Sequence, residues 1–415
     1  MRLDSLRQDT TSWPSEPKPH LGSEESSADL LHRATSYGLE RTQAALCDNG
    51  LAAALLFDAY NIRYVTGKTV MTVWSLHAMD RYVLVPAQGK PILWEYRLVP
   101  VDPATHSAME VRKAGSWSVF DVGARSRACA ASIATEVVEL LKELGVHGEP
   151  IGVDRLDTAG FLALQAAGLR VRPAQFAMET ARSIKSPDEI ELIRRSVAVA
   201  DAAIAHLRAT VKPGMTENEV WSTFTSHAFA HGGEYVECRL LSSGPRTNPW
   251  FQEATNRVIE RGDLVSFDTD LIGPAGYLAD VSRGYLVGDA TPTRLQRRLY
   301  YDAETFLEEI RTALRPGAAF DELGERLRQR FPQRYHAQRY PFIAHSSGLS
   351  DEYPTIMFDN HHQGEVTSGM VFSIEAYVGA EDEAEGLKLE EQVLVTPDGA
   401  ELLSHAPHDD RLSNR

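Results

Sequence analysis

Cysteine is scarce in this 415-residue chain: only Cys47, Cys129 and Cys238 occur, far apart and with no Cys-x-x-Cys pair. That excludes a disulfide framework and a thiolate metal or redox site, and it fits buried thiols in a reducing cytoplasm. Long apolar runs are also missing. The longest, Leu51 to Phe57, falls well short of the roughly 18–20 residues a membrane-spanning helix needs. Basic charge is the minority sign, with 42 Lys and Arg against 58 Asp and Glu and a formal charge of −16. Nucleic-acid binders carry basic patches instead, so no such partner is expected. Residues 1–27 lack the basic start and apolar centre of a secretory signal, which points away from export.

What remains is an ordinary globular composition, 43% hydrophobic and 24% charged, with enough chain for two domains. Residues 1–28 read as a flexible arm rich in Ser, Glu and Pro. From Leu30 to about Leu51 the apolar spacing predicts a helix, followed by a buried strand over Ala52 to Phe57. Tyr82 to Val85 and Pro91 to Tyr96 are strands about the turn Gln88-Gly89-Lys90, Ala130 to Leu144 is a helix, and Ile151 to Asp154 starts another strand. The first domain, 29–180, is therefore α/β. Ser186-Pro187-Asp188-Glu189 and Thr216-Glu217-Asn218-Glu219 are capping boxes that open two long helices. Beyond them come strands interrupted by one helical block, from about Thr293 to Phe331. The second domain, 181–415, is expected to be α+β.

Its strands contain acids. In Leu264-Val265-Ser266-Phe267-Asp268-Thr269-Asp270-Leu271-Ile272 the strand period of two places Asp268 and Asp270 on one face. Two such charges repel and lose solvation, which a divalent cation would resolve; an edge strand with solvated acids is the alternative. Tyr277 to Val287 would return Asp280 to the same place if the two runs form a hairpin. Downstream, His345 follows Phe342-Ile343-Ala344, Glu375 interrupts Val371 to Val378, and either Glu390 or Glu391 interrupts Leu387 to Val395. Alternation alone leaves that last choice open, with a lean toward Glu391. Five carboxylates and one imidazole suit Mn, Fe, Co or Zn, as one ion or a bridged pair.

Asp268-x-Asp270, Asp280, His345, Glu375 and Glu390 in this order resemble the metal site of the pita-bread superfamily, which includes methionine aminopeptidase, prolidase, Xaa-Pro aminopeptidase and creatinase. The resemblance implies a pita-bread catalytic domain preceded by a creatinase-type amino-terminal domain, and it selects Glu390 over Glu391. Within the superfamily the chain is most similar to the dimethylsulfoniopropionate lyase branch, through Gly232-Gly233-Glu234-Tyr235, Ser243-Gly244-Pro245-Arg246-Thr247-Asn248-Pro249-Trp250-Phe251 and Asn61-Ile62-Arg63-Tyr64. Peptidases of the superfamily use two further histidines. Here Trp250-Phe251 and Asp351 stand at about those positions.

The resemblance implies a metal-dependent carbon–sulfur lyase that yields acrylate and dimethyl sulfide, with Asp351 as base toward the α carbon and Tyr340 close to the reacting carbon. It also implies iron among the candidate metals and a homodimer in which one subunit covers the other's site. Aromatic faces hold cationic onium groups, so Trp74, Tyr64, Trp250 and Phe251 are the candidate contacts for a small-molecule substrate. Ser346 departs from the glycine that usually follows the ligand histidine. The alternatives are an Xaa-Pro aminopeptidase or prolidase, a creatinase-like C–N hydrolase, and a binding module without catalysis.

Overall fold

The computed structural model describes residues 25–68, 71–75, 78, 80–101, 107–359 and 362–413. Of the arm expected over 1–28, residues 1–24 lie outside the described residues, and the first helix, Ser27–Asp48, already includes its end. Ser26 caps that helix by accepting from the Asp29 amide. Leu30, Ala34, Gly38, Ala45 and Leu46 then fall on one buried stripe, as the helical period requires.

Six strands make the first sheet: β1 (Ala53–Leu56), β2 (Tyr82–Pro86), β3 (Ile92–Glu95), β4 (Glu110–Lys113), β5 (Pro150–Val153) and β6 (Arg170–Pro173), in the order β4-β3-β2-β1-β5-β6. β1 lies antiparallel to β2 and parallel to β5. Its residues alternate between two cores, Ala54 and Leu56 on one side and Ala53 and Leu55 on the other. Burial on both faces is why this strand reads as an unbroken apolar run.

The second half opens on the helix Pro187–Thr210, whose capping box pairs Ser186 with Glu189, and continues into Glu217–Ala230, whose box pairs Thr216 with Glu219. Two three-stranded sheets follow. One joins β7 (Tyr235–Val236), β10 (Leu271–Ile272) and β11 (Leu278–Ala279); the other joins β8 (Leu241–Ser243), β9 (Leu264–Phe267) and β12 (Arg283–Leu286). A five-stranded antiparallel sheet of β13 (Phe342–Ser347), β14 (Asp351–Met357), β15 (Val371–Val378), β16 (Leu387–Thr396) and β17 (Gly399–Leu402) runs in the order β14-β13-β15-β16-β17. Helices Arg294–Ala313 and Phe320–Arg330 back it, burying Leu299, Phe306, Leu307 and Leu323 against Ile343, Phe372 and Leu389. The molecule is a two-domain α+β protein.

Arg63 ties the halves together. It is buried, and donates to the Gly276 carbonyl at 3.0 Å and to Glu234 Oε2 at 2.9 Å. Gly276 has φ 80°, and a Cβ there would lie 1.9 Å from the guanidinium. Only glycine satisfies both the turn and the close approach.

Two expectations need correction. The cysteines are not uniformly buried: Cys47 is exposed at the end of the first helix, while Cys129 and Cys238 are half-buried. Asp268 and Asp270 also do not belong to one continuous strand. β9 ends at Phe267, β10 begins at Leu271, and Asp270 takes φ 33°, so a break in the ladder rather than the strand period brings the two acids together. Among the described residues no helix is long and apolar enough to cross a membrane.

Candidate active site

Breaks and bulges in three sheets place the acids. Asp268 and Asp270 sit in the gap between β9 and β10, and Asp280 sits in the matching gap between β11 and β12. The hairpin registers Leu271 with Ala279 and Phe267 with Arg283, which closes the two gaps on each other. Carboxylate oxygens of Asp268, Asp270 and Asp280 lie within 4.8 Å of one another, as do ligand atoms of Asp280, His345 and Glu390. His345 is on β13 just before a register shift, and Glu375 on β15 faces Glu390 on β16 in direct cross-strand register. Like charges placed opposite one another destabilise a sheet. The Lys388 ammonium meets this repulsion on one side, at 2.8 Å from Glu375 Oε2 and 3.1 Å from Glu390 Oε2, and leaves Oε1 of each glutamate for a metal ion.

The imidazole is already oriented for one. His345 Nδ1 lies 3.1 Å from the Ser346 carbonyl, which can only accept, so Nδ1 carries a proton and Nε2 is the nitrogen aimed at a metal. Burial lowers the imidazole's pKa, but the surrounding carboxylates, Asp351 foremost, raise it well above the usual value, so a metal would displace a proton from Nε2. Nε2 is 3.3 Å from Asp280 Oδ2, 3.5 Å from Glu375 Oε1 and 3.8 Å from Glu390 Oε1. Asp280 Oδ1, Glu375 Oε1 and Glu390 Oε1 are buried without a hydrogen-bond partner. Burial, with the repulsion of neighbouring carboxylates, pushes Asp268 and Asp280 up to about 6 and Asp270 well above the usual range. Burial drives Glu375 up as well, although Lys388 opposes it. Such a set of donors fits one or two divalent transition ions, which would satisfy the orphaned oxygens and remove the repulsion.

Around this cage the structure distributes the remaining sequence candidates unevenly. Asp351, at the start of β14, is half-exposed and holds Oδ1 3.5 Å from His345 Nδ1. Tyr340 is buried, and its hydroxyl accepts from Trp250 Nε1 at 2.6 Å. Burial holds its phenol far above the usual range, so it stays a neutral donor. Trp250 and Tyr340 share an aromatic cluster with Tyr377, and exposed Phe251 lies against Tyr340 at 5.0 Å between ring centroids. Two candidates are elsewhere. Tyr64 is buried in a hydrophobic core that both halves of the chain share, donating to the Ala181 carbonyl at 3.0 Å. Trp74 packs edge-on to Phe120, donates to Asp80 and lines a cavity of about 540 Å³ with Glu234 and Tyr235.

Three site residues were not singled out in the sequence. Ser282 donates to Asp268 Oδ1 at 2.7 Å, Cys238 hydrogen-bonds Asp270, and the Lys388 ammonium lies 2.5 Å from Asp268 Oδ2, 2.8 Å from Glu375 Oε2 and 3.1 Å from Glu390 Oε2. Lys388 did carry a signal. It lies two residues before Glu390, between Leu387 and Leu389, on the same face by the strand period.

Comparison with known proteins agrees with this architecture. Residues 191–397 match metallopeptidase family M24, and residues 39–184 match the creatinase/prolidase N-terminal domain. The chain is 35% identical to the dimethylsulfoniopropionate lyase DddP of Roseovarius nubinhibens, covering 93% of this chain and 89% of that protein. It is 26% identical to the probable dipeptidase PepE of Mycobacterium tuberculosis, covering 88% and 93%. The fold is similar to that of recombinant prolidase from Thermococcus sibiricus, with a TM-score of 0.75 at 21% identity, covering 93% of this chain and 99% of that one. With its creatinase-type first domain, its M24 second domain and a buried Asp/His/Glu cage between the sheets, the chain belongs to the pita-bread superfamily of metallopeptidases and creatinases.

Proposed function

We propose that this metalloenzyme is a lyase acting on dimethylsulfoniopropionate or a similar small onium carboxylate. The observation that carries the reading is Asp351: a half-exposed carboxylate, 3.5 Å from the cage histidine, at about the position where the peptidases place a proton-donating histidine. Amide cleavage needs a donor for the departing nitrogen, whereas β-elimination needs a base at the α carbon. The 35% likeness to a lyase across most of the chain supports the same assignment.

Asp268, Asp270, Asp280, His345, Glu375 and Glu390 would hold the metal. When bound, it supplies Lewis-acid polarisation of a substrate carboxylate and so acidifies the α carbon. Asp351 takes the α proton; the C–H electrons become the C=C bond, and the C–S bond breaks with its pair on sulfur. Acrylate and dimethyl sulfide leave, and half-exposed Asp351 returns the proton to solvent. Tyr340, fixed by Trp250, presents a neutral hydroxyl beside the reacting carbon. Phe251 offers the exposed ring for the onium group, at the edge of a cavity of about 390 Å³ whose lining includes Trp250, Gln252, Gln338 and Tyr340. A homodimer in the cytoplasm completes the reading.

A second reading, an Xaa-Pro dipeptidase or aminopeptidase, is favoured by the relatives named dipeptidases, such as PepE, whose likeness also spans the whole architecture. The two are separated by one experiment on metal-loaded protein. Dimethyl sulfide in the headspace over dimethylsulfoniopropionate, without proline release from Xaa-Pro dipeptides, is the expected outcome. Proline release without volatile sulfide would establish the dipeptidase.

A further inference from the structure

Lys388 is 2% exposed, and its ammonium stands inside an acidic cage beside two aromatic rings. The oxygens of the cage divide cleanly around it. Glu390 Oε2 accepts from Lys388 at 3.1 Å and Glu375 Oε2 pairs with its charge at 2.8 Å without a formed hydrogen bond, whereas Glu375 Oε1 and Glu390 Oε1 face His345 Nε2 at 3.5 and 3.8 Å and have no hydrogen-bond partner. Asp268 is held on both sides, Oδ2 by Lys388 at 2.5 Å and Oδ1 by Ser282 Oγ at 2.7 Å; the same Oγ lies 3.0 Å from Glu390 Oε2, so its single proton can serve either carboxylate. On its other side the ammonium lies 4.9 Å from the Tyr340 ring centroid and 5.9 Å from that of Trp250.

A free carboxylate rotates, and either oxygen can turn toward a ligand. Here a buried lysine restrains Glu375 and Glu390 together, through an ion pair to Glu375 Oε2 and a hydrogen bond to Glu390 Oε2. We propose that Lys388 is a positioning residue: it fixes the glutamates with their unpartnered oxygens toward the metal, and it ties the Trp250–Tyr340 wall to the same frame. This role concerns metal binding and does not depend on the substrate.

Two physical effects of Lys388 have opposite signs, which makes the proposal decidable. Coulomb repulsion between an ammonium and a divalent ion means that removing the charge should tighten metal binding. Loss of a residue that orients ligands typically weakens metal affinity about 10- to 100-fold. Positioning predicts that the second effect wins.

The test is a Lys388→Met substitution, close in length and without charge, with Lys388→Arg as the charge-conserving companion. Metal-stripped proteins are titrated with Mn(II), Co(II) and Zn(II) against a competing chelator, and bound metal is counted by elemental analysis. Circular dichroism and thermal melts report folding before any comparison. The expected result is a folded Lys388→Met protein with about 10- to 100-fold weaker metal binding and partial recovery in Lys388→Arg. Unchanged or tighter binding in Lys388→Met would overturn the proposal and leave Lys388 as charge compensation alone. If Lys388→Met fails to fold, Lys388→Gln carries the same comparison: weaker metal binding in the folded protein supports positioning, and unchanged or tighter binding overturns it.

Discussion

Glu390 and Glu391 are neighbours on one strand, and they meet opposite fates. Glu391 is fully satisfied: Arg283 lies 3.0 Å away, Ser404 donates to it, and His408 Nε2 lies 3.0 Å from its other oxygen. Although burial raises it, Arg283 and its hydrogen bonds outweigh that and hold it down to about 2. Glu390 faces another glutamate across the sheet and keeps an orphaned oxygen. A buried acid with all its partners is holding the fold, and a buried acid without them is waiting for a ligand. The strand's alternation sends the two to opposite faces, so one backbone segment serves both purposes.

Glu390→Gln should break the contrast most severely: metal binding and turnover are lost, while the metal-free protein melts at the same temperature or higher, because the clash with Glu375 is relieved. Elemental analysis and calorimetry check this, and a lower melting temperature would count against a strained cage. Asp351→Asn follows, with turnover falling by about 10²- to 10⁴-fold and metal content unchanged; loss of metal would place Asp351 among the ligands. Glu391→Gln should spare the chemistry per folded molecule but lower stability by about 3–5 kcal/mol, since it strands a buried guanidinium.

Acid denaturation sharpens the comparison with the smallest effect. A carboxylate whose native value is depressed stabilises the fold above its unfolded value and loses that contribution as pH falls toward the native one. For Glu391 the window runs from 4.5 down to about 2. Stability should therefore decline over that range, and the decline should be shallower in Glu391→Gln. Equal slopes in the two proteins would show that other groups govern the acid limb.

Local rules made much of the framework legible. The capping boxes at Ser186 and Thr216 are formed as their spacing requires, because an N-cap involves only four consecutive residues. The strand from Ala52 to Phe57 was visible because burial on both faces leaves an apolar run. Acids embedded in apolar strands exposed the cage for the same reason: burial is read from neighbours in sequence, and a carboxylate violates it. By contrast, the strand period does not explain the Asp268–Asp270 geometry, since a left-handed residue in a ladder break leaves little trace in an alternation pattern.

The sequence by itself determined which residues could bind a metal, where the helices begin, and that two domains follow one another. Tertiary structure decided the rest. Tyr64 and Tyr340 both follow an arginine in sequence, yet one packs in the core shared by the two domains and the other stands over the Lys388 ammonium. The period of β16 puts Lys388 on the face of Glu390, but its contact with Glu375 exists only once β15 is laid beside β16, and Glu390 cannot be told from Glu391 by alternation until the sheet has two different surroundings. The physical reason is the same in each case: what a polar side chain does once buried depends on which partners lie within about 3 Å, and those partners come from segments distant in sequence.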